Sequence, residues 1–173
     1  MGKIPKEIKD FKKMKFKLYL ILFLFTVVGY AQNTLIGKVT AITDGDTFKL
    51  LTKDSTLIRV RVANIDCPER KQPFSKSAKQ FTSNAIFNKQ VTLKVIKKDR
   101  YGRSIANVIY DGKNLSEELL KAGLAWHFVK YSKDKTLQSL EDQAKQKQLG
   151  LWMDPNAIAP WKWRSSKKKK KKG

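Results

Sequence analysis

Short alternating runs dominate the chain from Leu35 onward. In LIGKVTAI, TFKLL, TLIRVRVA, VTLKVIKK and RSIANVIY, apolar residues recur at every second position, the period of a strand with one buried face. The third run is the clearest, with Ile58, Val60 and Val62 on one face and Arg59 and Arg61 on the other. In the fourth, Val91, Leu93 and Val95 alternate with polar residues. TDGD and TKDS lie between the first three runs and supply hairpin turns, the first through an Asp-Gly pair. Three stretches change to a helical period. Ala78, Phe81 and Ala85 recur in SKSAKQFTSNAIF. NLSEELLKAG sets Asn114 as N-cap with Glu117 three residues on, a stripe of Leu115, Leu119 and Ala122, and Gly123 as C-cap. TLQSLEDQAKQKQLG repeats the scheme with Leu137, Leu140 and Ala144, ending at Gly150.

Five short strands, a helix between the third and fourth and further helices after the fifth suit a small closed barrel with helices packed outside. The fold class is α+β, mainly β, and the five-stranded OB barrel with about three helices is the candidate. No internal repeat is visible. The length of 173 residues fits one domain plus extensions. The domain spans 32–154, between a leader at 1–31 and a basic tail at 155–173. That tail contains Trp and Pro and ends in the run Lys167 to Lys172, expected to be disordered and able to grip a polyanion without sequence preference.

Charge sharpens the picture. A formal net charge of +22 attracts nucleic acid, acidic polysaccharide or anionic lipid without choosing among them. The N-terminus reads as an export signal. Seven lysines precede the apolar run LYLILFLFTVV, which is short for a membrane span, and Gly29 and Ala31 stand where a cut before Gln32 requires small residues. Met14 is an alternative start, and an uncleaved membrane anchor is the alternative reading. Losing the seven lysines with Glu7 and Asp10 leaves +17 on the exported chain. The destination is secretion or the periplasm. Cys67 is the single cysteine, so internal disulfides and thiolate zinc sites are excluded.

Against this basic background, carboxylates cluster in ITDGDTFKLL and NIDCPER. Carboxylates repel the polyanion that the rest of the surface attracts, and a hard cation bound through oxygen resolves the conflict. Asp46 opens the second strand and Asp66 follows the third, so neighbouring strand ends bring both within reach of one ion. Asp44 either joins them or only completes the turn. The single histidine, His127, excludes nuclease schemes that need two and reads as structural. A carboxylate is then the available base, and Glu69, three residues beyond Asp66, is the candidate. Arg61 and Arg103 are candidates to neutralise charge on phosphoryl oxygens. Cys67 has no partner to activate its thiol, and the four tryptophans read as packing residues.

DGDTFKL, RVANIDCPE, DRYGRSIANVIY, KAGLAWHFVKY and QAKQKQLGLW occur in the order found in the staphylococcal nuclease family. The chain resembles that family from about Leu35 to Trp152. The resemblance implies a Ca²⁺-dependent phosphodiesterase on an OB barrel, cutting DNA and RNA at the 5′-oxygen side to leave 3′-phosphates. It implies Asp46 and Asp66 as calcium carboxylates, the Cys67 carbonyl as a third ligand, Glu69 as general base and Arg61 and Arg103 as catalytic arginines. Tyr131 matches a nucleotide-contacting tyrosine, whereas Val129 departs from a neighbouring aromatic position. No protein partner is implied, and a monomer is expected. Two other readings stay open: a catalytically silent OB module that binds nucleic acid or anionic surfaces, and a membrane-tethered DNA-processing protein.

Overall fold

The computed structural model describes residues 34–170, so the leader and its cleavage site lie outside the described residues. Among those described, no helix is long and apolar enough to cross a membrane.

All five expected strands form, as β1 (Thr34–Ile42), β2 (Thr47–Thr52), β3 (Leu57–Val62), β5 (Gln90–Lys98) and β6 (Ser104–Tyr110). Two-residue strands β4 (Ile65–Asp66), β7 (Lys113–Asn114) and β8 (Trp126–His127) complete the β structure. The sheet order is β3-β2-β1-β5-β6-β7, and a parallel pairing of β3 with β6 closes the barrel. In that pairing Val60 faces Ser104 and Arg61 faces Ile105. Closure requires strands to bend, and register shifts in β1 near Thr40 and in β5 near Ile96 supply the extra residues. Alternation then sorts the side chains. Val39, Phe48, Leu50, Val60, Val62, Leu93, Ala106 and Val108 are fully or almost fully buried, while Arg59 and Lys49 face solvent.

The helices are α1 (Ser75–Ile86), α2 (Leu115–Lys121), α3 (Lys135–Gln146) and α4 (Pro160–Lys170), with a 3-10 turn at Gly150–Met153. Asn114 caps α2 as expected, its side chain accepting from Ser116 N, and Gly123 takes a left-handed conformation (φ 64°) at its end. On α1 the buried stripe is Ala78, Thr82 and Ile86, with Phe81 and Ala85 only partly covered. α3 corrects the expected stop at Gly150. It ends at Gln146, and Gln148 rather than glycine adopts the left-handed turn (φ 51°), with Leu149 N–H donating to Ala144 O at 2.9 Å. Gly150 instead begins the 3-10 turn, and the next residue, Leu151, donates to Gly123 O at 2.9 Å.

The tail is a second correction. Helix α4 occupies 160–170, reaching into the lysine run that was expected to be disordered. Its first turn is held by packing: Trp161 and Ala159 join Trp126, Leu151 and Trp152 in an apolar cluster separate from the barrel core. Trp161 stacks on Phe128 with ring centroids 5.1 Å apart and planes 1° from parallel. The apolar anchors precede the lysines, and composition averaged over the tail conceals them.

The turn between β1 and β2 is pressed into this framework. Thr82 Oγ1 of α1 donates to Gly45 O at 2.6 Å, and a Cβ on Gly45 would lie 2.8 Å from Ala78 Cβ and 2.9 Å from Cys67 Cβ and Sγ. Ala78 and Cys67 are both buried, so neither can move aside cheaply. Gly45→Ala is therefore expected to destabilise the protein by roughly 1–3 kcal/mol, the usual cost of overpacking. Urea denaturation would show this as a lower midpoint at constant slope; an unshifted midpoint would mean the turn is not so confined.

Candidate active site

Strand pairing sets Asp46 and Asp66 at one end of the barrel, and Glu69 lies on the segment that follows Asp66. Asp46 immediately precedes β2, and Val62 N–H donates to its carbonyl at 2.8 Å. Thr47 pairs with Arg61 across β2 and β3, so Arg61, on the outer face of β3, lies beside Asp46. The chain turns back at Asn64 (φ 66°) and runs through β4, where Asp66 pairs with Trp126 of β8. Asp66 thereby returns to the same strand end.

One guanidinium spans the two aspartates. Arg61 Nη1 donates to Asp46 Oδ1 at 2.5 Å and Nη2 to Asp66 Oδ1 at 2.7 Å. Asp46 Oδ2 accepts from Cys67 N–H at 2.9 Å. Both carboxylates are buried, Asp46 to 4% exposure and Asp66 to 1%. Burial works against the Arg61 charge, but Asp46 and Asp66 outweigh it and hold the guanidinium more firmly protonated than usual. Burial also pushes the Asp66 carboxyl above its ordinary value, against the pull of Arg164 and Arg61. Asp44 is pushed up to about 7 by burial and then by the neighbouring Asp46 charge, and its Oδ1 accepts from Asp46 N–H at 3.2 Å within the turn. The Cys67 thiol is driven well above its normal value by burial and by Asp46 and Asp44, and is chemically quiet.

Glu69 lies on the segment after β4. Its N–H donates to the Gln72 side-chain carbonyl at 3.0 Å, and its carboxylate, 38% exposed, accepts from Arg164 Nη1 of α4 at 2.5 Å. Arg164 also donates from Nη2 to Asp66 Oδ2 at 2.7 Å. Asp46, Arg61, Asp66 and Glu69 are thus joined in one ionic network. Arg103 is not drawn into it: its guanidinium is bound to Asp99 Oδ2, with Nε at 2.8 Å and Nη2 at 2.7 Å, in the turn between β5 and β6. Tyr131 is 63% exposed and packs edge-on against Phe128, with Lys97 Nζ 5.8 Å and Lys130 Nζ 5.9 Å from its ring centre. His127 is buried and its Nδ1 meets Gln138 Oε1 at 2.9 Å, a structural role. Arg164 is the residue that sequence reasoning missed. The available signal was the pair Trp161 and Trp163 directly before it, which marks an anchored segment inside an otherwise basic tail.

No cluster of three or more His, Cys, Asp or Glu side chains able to hold a metal occurs among the described residues. The donors at hand are two buried carboxylates facing a common cationic position. Such oxygen-only donors suit a hard cation that completes its shell with carbonyls and water, not a soft metal.

The profile of the family described as "Staphylococcal nuclease homologue" matches residues 59–154. The chain is 39% identical over 157 residues to an "uncharacterized endonuclease" of Haemophilus influenzae, covering 89% of this chain and 87% of that protein. It is 38% identical over 143 residues to a micrococcal nuclease of Shigella flexneri, covering 76% and 82%. A staphylococcal-like nuclease of Arabidopsis thaliana is 40% identical over 110 residues, 64% of this chain and 34% of that protein. With its closed five-stranded barrel and a match over more than half its length, the chain belongs to the staphylococcal nuclease family.

Proposed function

We propose that the protein is an exported, Ca²⁺-dependent nuclease that hydrolyses DNA and RNA at the 5′-oxygen side and leaves 3′-phosphates. The observation that carries this reading is the convergence of Asp46, Asp66 and Glu69 on guanidiniums at one end of the barrel. A polyanion-binding surface gains nothing from three carboxylates placed there, whereas phosphodiester hydrolysis uses them. The names of the relatives, an endonuclease and a micrococcal nuclease, support the nuclease part of this reading.

Asp46 and Asp66 would hold the ion, with the Cys67 carbonyl as a further oxygen donor. When bound, Ca²⁺ offsets the negative charge of the phosphodiester and polarises a phosphoryl oxygen. Glu69 accepts the proton of the attacking water, since no histidine other than the buried His127 exists in the chain. As water adds to phosphorus, the bond to the 5′-oxygen breaks, that oxygen leaves as a 5′-hydroxyl by taking a proton from solvent water, and the phosphate stays on the 3′ side. Arg61 turns its planar fork from the aspartates to the phosphoryl oxygens, where negative charge builds. Arg103 serves the same end after exchanging Asp99 for phosphate. Tyr131, exposed and flanked by Lys97 and Lys130, offers a face for a nucleotide. Residues 1–31 act as the cleaved export signal.

Cleavage of plasmid and of RNA by the purified protein should require Ca²⁺, with Mg²⁺ a poor substitute because it demands tighter octahedral geometry. Full cleavage in excess chelator would remove the metal from the scheme. Binding without cleavage in Ca²⁺ would favour a silent OB module.

Asp46→Asn should weaken Ca²⁺ binding in calorimetry, since it takes a formal charge from the cation site. Glu69→Gln should keep Ca²⁺ and a non-hydrolysable nucleotide bound while slowing single-turnover cleavage by about 10²–10⁴-fold, the loss of a positioned base. A Glu69→Gln variant that cleaves at the parent rate with metal bound would show that Glu69 is not the base.

Mass spectrometry of the exported protein should find Gln32 at the N-terminus, motivated by Gly29 and Ala31 before it. Full-length chain in the membrane fraction would instead indicate an anchor.

A further inference from the structure

Glu69 is tied to the C-terminal segment directly at its carboxylate, by Arg164, and indirectly at its backbone N–H, through Gln72. Gln72, itself buried, accepts from Glu69 N–H at 3.0 Å through its Oε1 and donates through Nε2 to Ile158 O. Six residues beyond Ile158, Arg164 donates to the Glu69 carboxylate at 2.5 Å and to both oxygens of Asp66, at 2.7 and 3.3 Å. Its own position is fixed upstream, by Trp161 stacked on Phe128 and by Ala159 packed among Trp126 and Leu151. The guanidinium stays charged although partly buried, because its hydrogen bonds to Asp66 and Glu69 outweigh the cost of burial.

A glutamate on a half-exposed loop samples many rotamers, and a base must be placed before it can act. Arg164 removes that freedom. Its planar fork meets both oxygens of Asp66, and Nη1, the nitrogen shared between the two residues, also meets Glu69, which fixes the spacing between the two carboxylates. A lysine ammonium carries the charge but lacks the fork.

We propose that Arg164 is a positioning residue of the active site, and that helix α4 completes that site by holding Glu69 in register with Asp66. The inference rests on the nuclease reading above, with Glu69 as base.

The test is single-turnover and steady-state cleavage by Arg164→Ala, Arg164→Lys, Glu69→Gln and the double variant Arg164→Ala/Glu69→Gln of the purified protein, with Ca²⁺ calorimetry and thermal unfolding of each. Arg164→Ala should lower kcat by up to about 10²-fold, the scale of a catalytic group displaced by an ångström, with KM changing far less. Arg164→Lys should recover only part of the loss. In the Glu69→Gln background, Arg164→Ala should cost little more, because two residues acting as one unit are not additive. Ca²⁺ should bind Arg164→Ala about as tightly as the parent, because Arg164 acts on the base and is not itself a donor to the ion. If Arg164→Ala cleaves as fast as the parent or faster, the contact is a bystander or a latch and the proposal fails. An equal loss in both backgrounds, or a Ca²⁺ affinity or unfolding midpoint that falls in step with kcat, would also overturn it in favour of a general structural role. If Glu69→Gln itself cleaves normally, the assigned base and the proposal fall together. If Glu69→Gln is slow and Arg164→Ala is not, only the role of Arg164 is lost.

Discussion

Two carboxylates buried at a strand end cannot remain without a counter-charge. Asp46 and Asp66 are almost fully enclosed, and an uncompensated buried charge costs about 3–5 kcal/mol. The Arg61 fork meets that demand by donating to both at once. The rest of this end of the molecule is arranged around that triad. The Asp44–Asp46 turn is pressed against α1 to aim one carboxylate, and the short pairing of β4 with β8 brings in the other. The same pair of buried carboxylates has the oxygen-only chemistry that suits a hard cation.

The barrel makes this precise placement possible because it is closed. Pairing of β3 with β6 leaves no free edge beside Arg61, and the bulges in β1 and β5 absorb the curvature. Val60 and Val62 anchor β3 from inside while Arg61 points out between them. A shift of one residue in β3 would send Arg61 inward and a valine outward, so the hydrophobic core enforces the register of the charged site.

A second apolar cluster connects the C-terminal segment to the same end. Trp126 belongs to β8, directly opposite Asp66, and packs edge-on with Trp152 at 5.1 Å between ring centres. Trp161 lies on Phe128, which in turn carries Tyr131. One apolar cluster of Trp126, Leu151 and Ala159, with Trp152 and Trp161 packed against it, therefore links the strand opposite Asp66 to the helix that delivers Arg164, and Phe128 extends it to Tyr131. The segment just before the lysine run is attached to the site by packing at Ala159 and Trp161 and by the ion pairs of Arg164.

The strands, their turns and the inward faces were legible in the sequence, because a half-buried strand must alternate and a hairpin must turn on residues such as Asp-Gly. Asp46, Arg61, Asp66 and Glu69 were legible too, since they sit within short motifs whose spacing is set by neighbouring strand ends. Helix α3 was misjudged at its stop because Gln148 adopts a conformation usually left to glycine, and the 3-10 turn that follows takes up Gly150. Arg103 illustrates a different limit: its motif marks it for the site, but the Asp99 carboxylate four residues earlier holds its guanidinium instead. Arg164 lay beyond local reading altogether. It stands 98 residues from Asp66 and 95 from Glu69, in a tail whose average composition is that of a solvated chain. The sequence alone determined which segments would be strands and which carboxylates would share one end of the barrel. Only the tertiary structure decided which cation answers them, because that depends on packing between tryptophans and phenylalanine far apart along the chain, and no periodicity or spacing records such a contact.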